Sequence, residues 1–541
     1  LLFKKWVKGL RPLVKGLRPL QECLRPLQER LRTLHACSVV LVMLIWIKFD
    51  RMFEMRNWQK NLFGIGLGIL LIFLLELGLW IFKFHRPVCE FDPYLTFKES
   101  VPVLIENEYT GEKWLSLNPR LRDYFNPIAF PKSKAIGVRR IFVLGESSTL
   151  GFPFLEHGSY AWFLKLGLDE LEPGHRYQVV NFGAKGFASY RILRVFKEVL
   201  NYEPDLIVVM MGQNEFLEKR EYRRSARFIR IQERLSGLKL YCLLKVMFLK
   251  LQPAREQGLI GTDVKWEKMS TDSETRAKII EHFRFNVKEM VRLADEKKVD
   301  LLFLTSASNL KDFAPYHSVH RAGMTDAEMK TWNKRFDDAK MLIQEKRCGE
   351  AIPVLQEIIK ADEVYAEAWY LLGQCFYEEG KFEEAKGAFV KALVNDSWQV
   401  RALPEFNESI RELVRGKAGV VDIEKVFEEQ SLGGIPGDNL FYDHCHPKIK
   451  AQALIAKQIL QRLNRDQWLI LPENWELMYD DIVSSYEASL GPGFWTRVYY
   501  NLAIETGVNM GLKELGRKYL DEGLKIAPED AMLRRAERKL K

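Results

Sequence analysis

Apolar residues come in two patterns along this chain. Residues 139–145 (Arg-Arg-Ile-Phe-Val-Leu-Gly), 177–183, 204–211 (Pro-Asp-Leu-Ile-Val-Val-Met-Met) and 299–305 (Val-Asp-Leu-Leu-Phe-Leu-Thr) are short apolar blocks. Continuous apolar runs of this length predict strands buried on both faces. The stretches between them are long enough for crossover helices, which predicts a parallel sheet with helices on both sides. A helix is expected after Pro153 and another over residues 450–463. The second pattern is a single long run, residues 62–82, interrupted by one charge, Glu76. At 1.5 Å per residue it spans a hydrocarbon core of about 30 Å. No small-residue cleavage site follows it, so it reads as an uncleaved signal anchor over residues 61–85. Arg56 and Lys60 precede it and Lys83 and Arg86 follow, so flanking charge alone sets no orientation. Residues 36–47 are apolar but too few to span.

Three other segments stand apart. Residues 7–34 repeat VKGLRPL, VKGLRPL, QECLRPL, QERLRTL, and Pro12, Pro19 and Pro26 forbid a continuous coiled coil. Residues 1–54 therefore read as a non-native or cytoplasmic basic arm, with an expected start at Met52 or Met55. Around 331–400 there is a 34-residue period: Ala351 matches Ala385, and Leu355 matches Phe389. Its second unit runs Trp369-x-x-Leu372-Gly373-x-x-Phe376, then Ala385, Phe389 and Ala392, similar to a tetratricopeptide repeat. The first unit, about 332–365, is degenerate at its Trp, Leu and Gly positions. Residues 494–540 close with Leu524-Lys-Ile-Ala-Pro528 and read as repeat-like helix pairs. Residues 219–255 hold eleven Lys or Arg around the apolar stretch 238–251. That pattern suits a solvated helix face or contact with anionic headgroups.

Composition narrows the function classes. The chain has 541 residues, enough for about three domains. Its 47% hydrophobic and 28% charged residues exclude wholesale disorder. A net charge of +9 is mild for this length, and no fold motif for nucleic acid accompanies it. The seven cysteines (23, 37, 89, 242, 348, 375, 445) are scattered, odd in number and without a CxxC pair. Neither a disulfide framework nor a metal site is expected from them.

Candidate chemistry gathers at the strand ends, where parallel sheets build their sites. Gly145-Glu146-Ser147-Ser148-Thr149-Leu150-Gly151 follows the first strand, a turn that exposes a serine beside backbone N–H groups. Asn181-Phe-Gly183-Ala-Lys-Gly186 ends the second, and Gly212-Gln213-Asn214-Glu215 ends the third. Ser308-Asn309-Leu310-Lys-Asp312 follows the fourth, and Asn309 and Asp312 are candidate lining residues. Near the C-terminus, Asp443-His444-Cys445-His446 places an acid three residues before a histidine, a spacing that lets the carboxylate orient the imidazole. Ser148 is the rival nucleophile and His444 the rival base; His157, His317 and His320 read as surface residues.

Taken in order, Gly145-Glu146-Ser147, Gly186, Gly212-Gln-Asn214-Glu215 and Asp443-x-x-His446 resemble the four blocks of the GDSL/SGNH hydrolase family. The resemblance covers about 135–325 and 400–465. Glu146 and Glu215 stand where the family carries Asp, each adding a methylene, which leaves pocket shape open and makes both candidate substrate contacts. The resemblance implies a three-layer α/β/α, flavodoxin-like fold. It implies Ser147 as nucleophile, His446 as base and Asp443 as its orienting acid. The implied oxyanion hole comprises the N–H of Ser147, the N–H of Gly186 and the side-chain amide of Asn214. Such a triad needs no metal and no organic cofactor.

The expected organisation is then a basic arm (1–54), an anchor (61–85), and a linker with an N-terminal extension (86–135). A hydrolase part follows (136–330), with a helical insertion (331–400), a second hydrolase part bearing the Asp-x-x-His (401–465), and a helical C-terminal region (466–541). The insertion lengthens the separation of Ser147 and His446 to 299 positions. The expected activity is a membrane-anchored bacterial serine esterase acting on an acyl ester, of a cell-surface glycan or lipid, with the catalytic part on the extracytoplasmic, periplasmic side. The alternatives are O-acyl transfer from the same acyl-enzyme, or a silent platform that binds a protein partner through its repeats.

Overall fold

The computed structural model describes residues 57–81, 102–109, 111–217 and 273–540, with a few positions between 235 and 244. The arm 1–54, the cysteines at 23, 37, 89 and 242, and most of the basic stretch 219–255 lie outside the described residues. The described residues form two compact units, one containing helix Asn57–Ile81 with positions 235–244, the other containing everything else.

The larger unit is built on two sheets. Strands β1 (Leu104–Tyr109), β2 (Glu112–Leu117) and β3 (Ala129–Pro131) form a small antiparallel sheet. Strands β4 (Val138–Gly145), β5 (Arg176–Gly183), β6 (Leu206–Met210), β7 (Asp300–Leu304) and β8 (Gly419–Val421) form a parallel sheet in the order β5-β4-β6-β7-β8. Side chains alternate across a strand, so each continuous apolar run feeds two cores. Ile141, Val143, Val208, Met210, Leu302 and Leu304 face one side, under helices Tyr160–Leu171 and Ile449–Arg465. Phe142, Leu144, Ile207, Val209, Leu301 and Phe303 face the other, under helices Ser189–Val199, Ser273–Lys297 and Pro404–Leu413. This is the three-layer α/β/α arrangement expected from the sequence.

Local readings differ in three places. The turn after β4 is itself helical, Ser147–Leu150, and the next long helix starts at Tyr160 on the N-cap Ser159 rather than directly after Pro153. The small antiparallel sheet lies in what reads as linker. It is folded because Leu104, Leu115 and Phe130 pack into the second core. The buried Arg140 ties it down by donating to the carbonyls of Pro131 and Tyr202 and to the Gln178 side chain. Strand β8 has three residues, too few for a sequence pattern to declare.

The insertion forms two helix pairs, Asp326–Gln344 with Cys348–Ala361 and Ala366–Glu378 with Phe382–Asn395. Trp332, Phe336, Leu355, Ile358 and Leu372 make a core of their own. Gly373 lets the second pair close, because a Cβ there would press on the Phe389 ring.

In the smaller unit, residues Gly64–Ile81 are long and apolar enough to cross a membrane, with mean hydropathy 2.3 and none of the stretch buried. Glu76, the one acid in it, accepts the backbone N–H groups of Lys239 and Leu240 at 2.7 and 2.8 Å. The Lys239 ammonium lies over the Trp80 ring at 4.7 Å.

Candidate active site

The site assembles at the carboxyl ends of β4, β5 and β6. Strand β4 runs straight into helix Ser147–Leu150, which closes on Gly151 with φ +93°. A turn this tight needs bare backbone on both sides. A Cβ on Gly145 would collide with Thr149 and the Met210 carbonyl, and one on Gly183 with the backbone of Thr149 and Leu150. Asn181 fixes the neighbouring strand end: its amide donates to the Thr149 carbonyl and its oxygen accepts the Gly183 N–H. Asn126 donates to the Leu150 carbonyl. Gln452, fully buried on helix Ile449–Arg465, donates to the Ser148 carbonyl and accepts the Tyr160 N–H.

Ser147 is half-buried at the surface of this turn. Its Oγ lies 2.8 Å from His446 Nε2, and His446 Nδ1 lies 2.6 Å from Asp443 Oδ2. Asp443 Oδ1 also accepts the N–H groups of Cys445 and His446, both at 3.0 Å. Burial pushes the Asp443 carboxyl up, but the charges of His446 and His444 and the hydrogen bonds it accepts outweigh that and hold it below the usual carboxylate range. The Phe152 ring packs on the His446 imidazole, centroids 4.6 Å apart, and limits its rotation.

The rivals point elsewhere. Ser148 is buried and its hydroxyl donates to the Cys445 carbonyl at 3.0 Å. His444 packs against Phe313, and its Nδ1 is buried without a hydrogen bond, 3.4 Å from Asp443 Oδ1. Burial pushes its pKa down to about 4. His157 and His317 are exposed, as expected, but His320 is not a free surface residue: its Nδ1 lies 2.7 Å from the fully buried Asp362.

Gly186, with φ +70°, ends the β5 loop, and Asn214 is buried beside it, its side-chain amide donating to the Phe187 carbonyl at 3.3 Å. Of the four candidate substrate contacts, Glu146, Glu215 and Asn309 are buried and Asp312 is exposed. Glu146 is buried beneath Ser147 and accepts the N–H groups of Gly212, Gln213 and Asn214. It therefore holds the Asn214 loop against the serine turn, and its extra methylene reaches backbone rather than substrate. Glu215 is fully buried and caps helix Ser189–Val199 through the N–H and hydroxyl of Ser189. Asn309 is fully buried; it donates to Asp438 and accepts the Asp312 N–H. Asp312 accepts the Asp438 N–H at 2.7 Å. These two staple the β7 loop to the loop before Asp443.

Asp443, His444, Cys445 and His446 also bring four potential ligand atoms within 4.8 Å of one another. They do not suit a cation. Both Asp443 oxygens and both His446 nitrogens are engaged as above, and burial pushes the Cys445 thiol well up, against thiolate.

Sequence reasoning missed Asn181, Gln452, Phe152, Lys185 and Glu505. Asn181 carried a signal, two residues before the strand-ending glycine. Glu505 carried none, since it arrives from the far C-terminus. It sits in a seven-residue π-helical turn, Ala503–Asn509, where its Oε2 takes Lys185 Nζ and Asn509 Nδ2, each at 2.7 Å.

Residues 342–394 match the tetratricopeptide repeat family model. No curated protein matches the chain. Among solved structures, the chain is similar to an alpha/beta hydrolase from the metagenome of Lake Arreo, Spain, at 12% identity and TM-score 0.28, covering 60% of this chain and 94% of that one. It is similar to Axe2, an acetylxylan esterase from Geobacillus stearothermophilus, at 10% identity and TM-score 0.28, with the same coverage. It is also similar to a lipolytic protein of the G-D-S-L family from Desulfitobacterium hafniense, at 12% identity and TM-score 0.25, covering 60% of this chain and 99% of that one. At such identities and TM-scores, the chemistry has to rest on the side chains.

Proposed function

We propose that this protein is a serine esterase that cleaves acyl esters through an acyl-enzyme on Ser147. The observation that carries the reading is the unbroken line of hydrogen bonds from Ser147 Oγ through His446 to Asp443, at the strand end of a parallel sheet. A serine hydroxyl is a weak nucleophile by itself, and a hydrogen-bonded imidazole removes its proton as attack begins. Ser147 Oγ adds to the ester carbonyl while its proton passes to His446 Nε2. Asp443, ionised and buried, stabilises the imidazolium. Negative charge collects on the former carbonyl oxygen, where the N–H groups of Ser147 and Gly186 and the Asn214 amide would receive it. Each such donor contributes about 3–4 kcal/mol in well-studied cases. His446 then returns the proton to the leaving alcohol oxygen, the ester C–O bond breaks, and water repeats the sequence to release the acid.

Glu146 and Asn181 act one step behind, by holding backbone. Neither cofactor nor metal enters any step. Helix Asn57–Ile81 is read as a signal anchor with the catalytic unit on the extracytoplasmic side. The pairing of Glu76 with two N–H groups supports the anchor alone, since it satisfies the one charge a spanning helix would carry; the side rests on the family resemblance. The substrate is read as an O-acylated glycan or lipid, and the repeat insertion as a docking surface for a protein partner.

Incubation with a fluorophosphonate probe, followed by peptide mass spectrometry, tests the core of this reading. Label is expected on Ser147, lost in Ser147→Ala and kept in Ser148→Ala. Label elsewhere, or none on folded protein, would end the esterase assignment. Screening acetylated glycans and lipid esters then identifies the acyl donor.

A further inference from the structure

The C-terminal helices touch the catalytic loops at several points. Asn501 donates to the Pro153 carbonyl at 2.9 Å, just beyond the serine turn. Phe494 stacks on Phe154 at 6.0 Å, and Tyr519 donates to the Tyr442 carbonyl, next to Asp443. A further contact is ionic. Lys185 immediately precedes Gly186, and its loop is held on one side by main chain: its N–H donates to the Tyr124 carbonyl at 2.9 Å. Its ammonium is held on the other side by Glu505.

The turn that carries Glu505 is unusual. π-Helical turns are rare and occur frequently at functional sites. This one packs on helix Lys513–Ile526 through two glycines: a Cβ on Gly507 would strike Leu540 and press on the Gly516 backbone, and one on Gly516 would strike the Gly507 backbone. Burial pushes the Glu505 carboxyl up, but Lys185, Asn509 and the charge of His446 pull it below its ordinary value, so it is ionised at neutral pH. Its field is felt at His444 and Cys445 as well. A surface ion pair contributes little; this carboxylate is 19% exposed and its partner belongs to the loop that ends in Gly186.

We propose that Glu505 is a positioning residue of the esterase site: through Lys185 it fixes the loop presenting the Gly186 N–H, and its negative charge favours the imidazolium of His446 as the serine is deprotonated. The assignment rests on the Ser147–His446 reading above. Glu505 itself transfers no proton. Its share is geometric, through Lys185, and electrostatic, through space.

The titratable and charged groups around the His446 loop are Asp443, His444 and Cys445 from the loop itself, Asp438 and Lys448 at its ends, Glu146 beneath Ser147, Arg401 behind His444, Tyr442 and Tyr519, Lys518 facing Asp438, and the Lys185–Glu505 pair. The last pair can be altered in charge without entering the triad or its buried supports.

The test uses the full chain in detergent with p-nitrophenyl acetate, recording kcat and KM across pH for wild type, Glu505→Gln, Lys185→Met and the double variant. Glu505→Gln is expected to lose about tenfold in kcat with little change in KM. Its acid limb should move to lower pH, because a lost carboxylate makes a neighbouring cation less stable. Lys185→Met should move the acid limb the other way, and the double variant should fall between. Opposite shifts are what a purely structural role would not produce. Identical acid limbs in all four proteins, or losses confined to KM or to melting temperature, would overturn the proposal. A wild type unlabelled at Ser147 by fluorophosphonate would instead overturn the triad reading and this inference with it.

Discussion

Two helical regions of this protein look alike in sequence and behave differently in the fold. The insertion at residues 326–395 carries the match to the tetratricopeptide model, and the C-terminal helices at 475–540 end in a segment expected from sequence to be repeat-like. The first buries Trp332, Leu355 and Leu372 among its own helices, and meets the hydrolase mainly along its last two helices, with Phe389 against Ile435, Leu393 in the second core and Tyr370 donating to the Lys311 carbonyl at 2.8 Å. The second places Tyr479, Leu502, Leu520 and Leu533 in the same core as strands β4, β6 and β7. It also delivers Glu505 to the catalytic loops. Resemblance to a repeat reports which helices pair with each other. It does not report which core they share, because that depends on apolar faces that meet only after the chain has folded back.

The largest effect that would break this comparison is truncation. Removing residues 475–540 should leave an insoluble or molten protein without esterase activity, since it strips the apolar cover from helices Tyr160–Leu171 and Ile449–Arg465, whose residues share its core. Replacing residues 326–395 by a short linker should leave a folded protein that still takes fluorophosphonate at Ser147. If the two deletions behave alike, judged by soluble yield and labelling, the distinction is wrong.

A paired cavity experiment sharpens it. Leu355→Ala in the insertion and Leu520→Ala in the C-terminal helices each remove a buried side chain and should each cost about 2–5 kcal/mol in their own core. Only Leu520→Ala should lower kcat on p-nitrophenyl acetate. Chemical denaturation should show the Leu355→Ala loss in an early transition that leaves activity intact.

The smallest effect concerns pH. His444 is buried and neutral, with its pKa near 4 in the fold against about 6.5 unfolded. The unfolded chain therefore binds the extra proton first, and stability falls as pH drops from about 6.5 towards 4. The loss from this one group between pH 8 and pH 5 should be about 2 kcal/mol. His444→Gln should lack that share when denaturation midpoints at the two pH values are compared. An equal pH dependence in both proteins would mean that His444 is not buried neutral.

Much of this molecule was legible as sequence. The short apolar runs marked β4, β6 and β7, because strands buried on both faces need no polar alternation; β5, a half-buried edge strand with Gln178 and Asn181 in it, was marked by its glycine-rich end. The 34-residue period marked the helix pairs, and a 62–82 run of one composition marked the membrane-length helix. Ser147, Asp443 and His446 could be named through the resemblance to the GDSL/SGNH blocks; spacing alone left Ser148 and His444 as rivals. Tertiary structure alone decided the rest. The chemistry of Glu146, Glu215, Asn309 and Asp312 suits a binding site, yet all four are spent holding backbone, since a carboxylate or amide beside unpaired N–H groups is held there before any ligand arrives. Glu505 meets Lys185 across 320 positions. No spacing rule reaches that far; only the packing of two glycines and one sheet face brings that charge to the site.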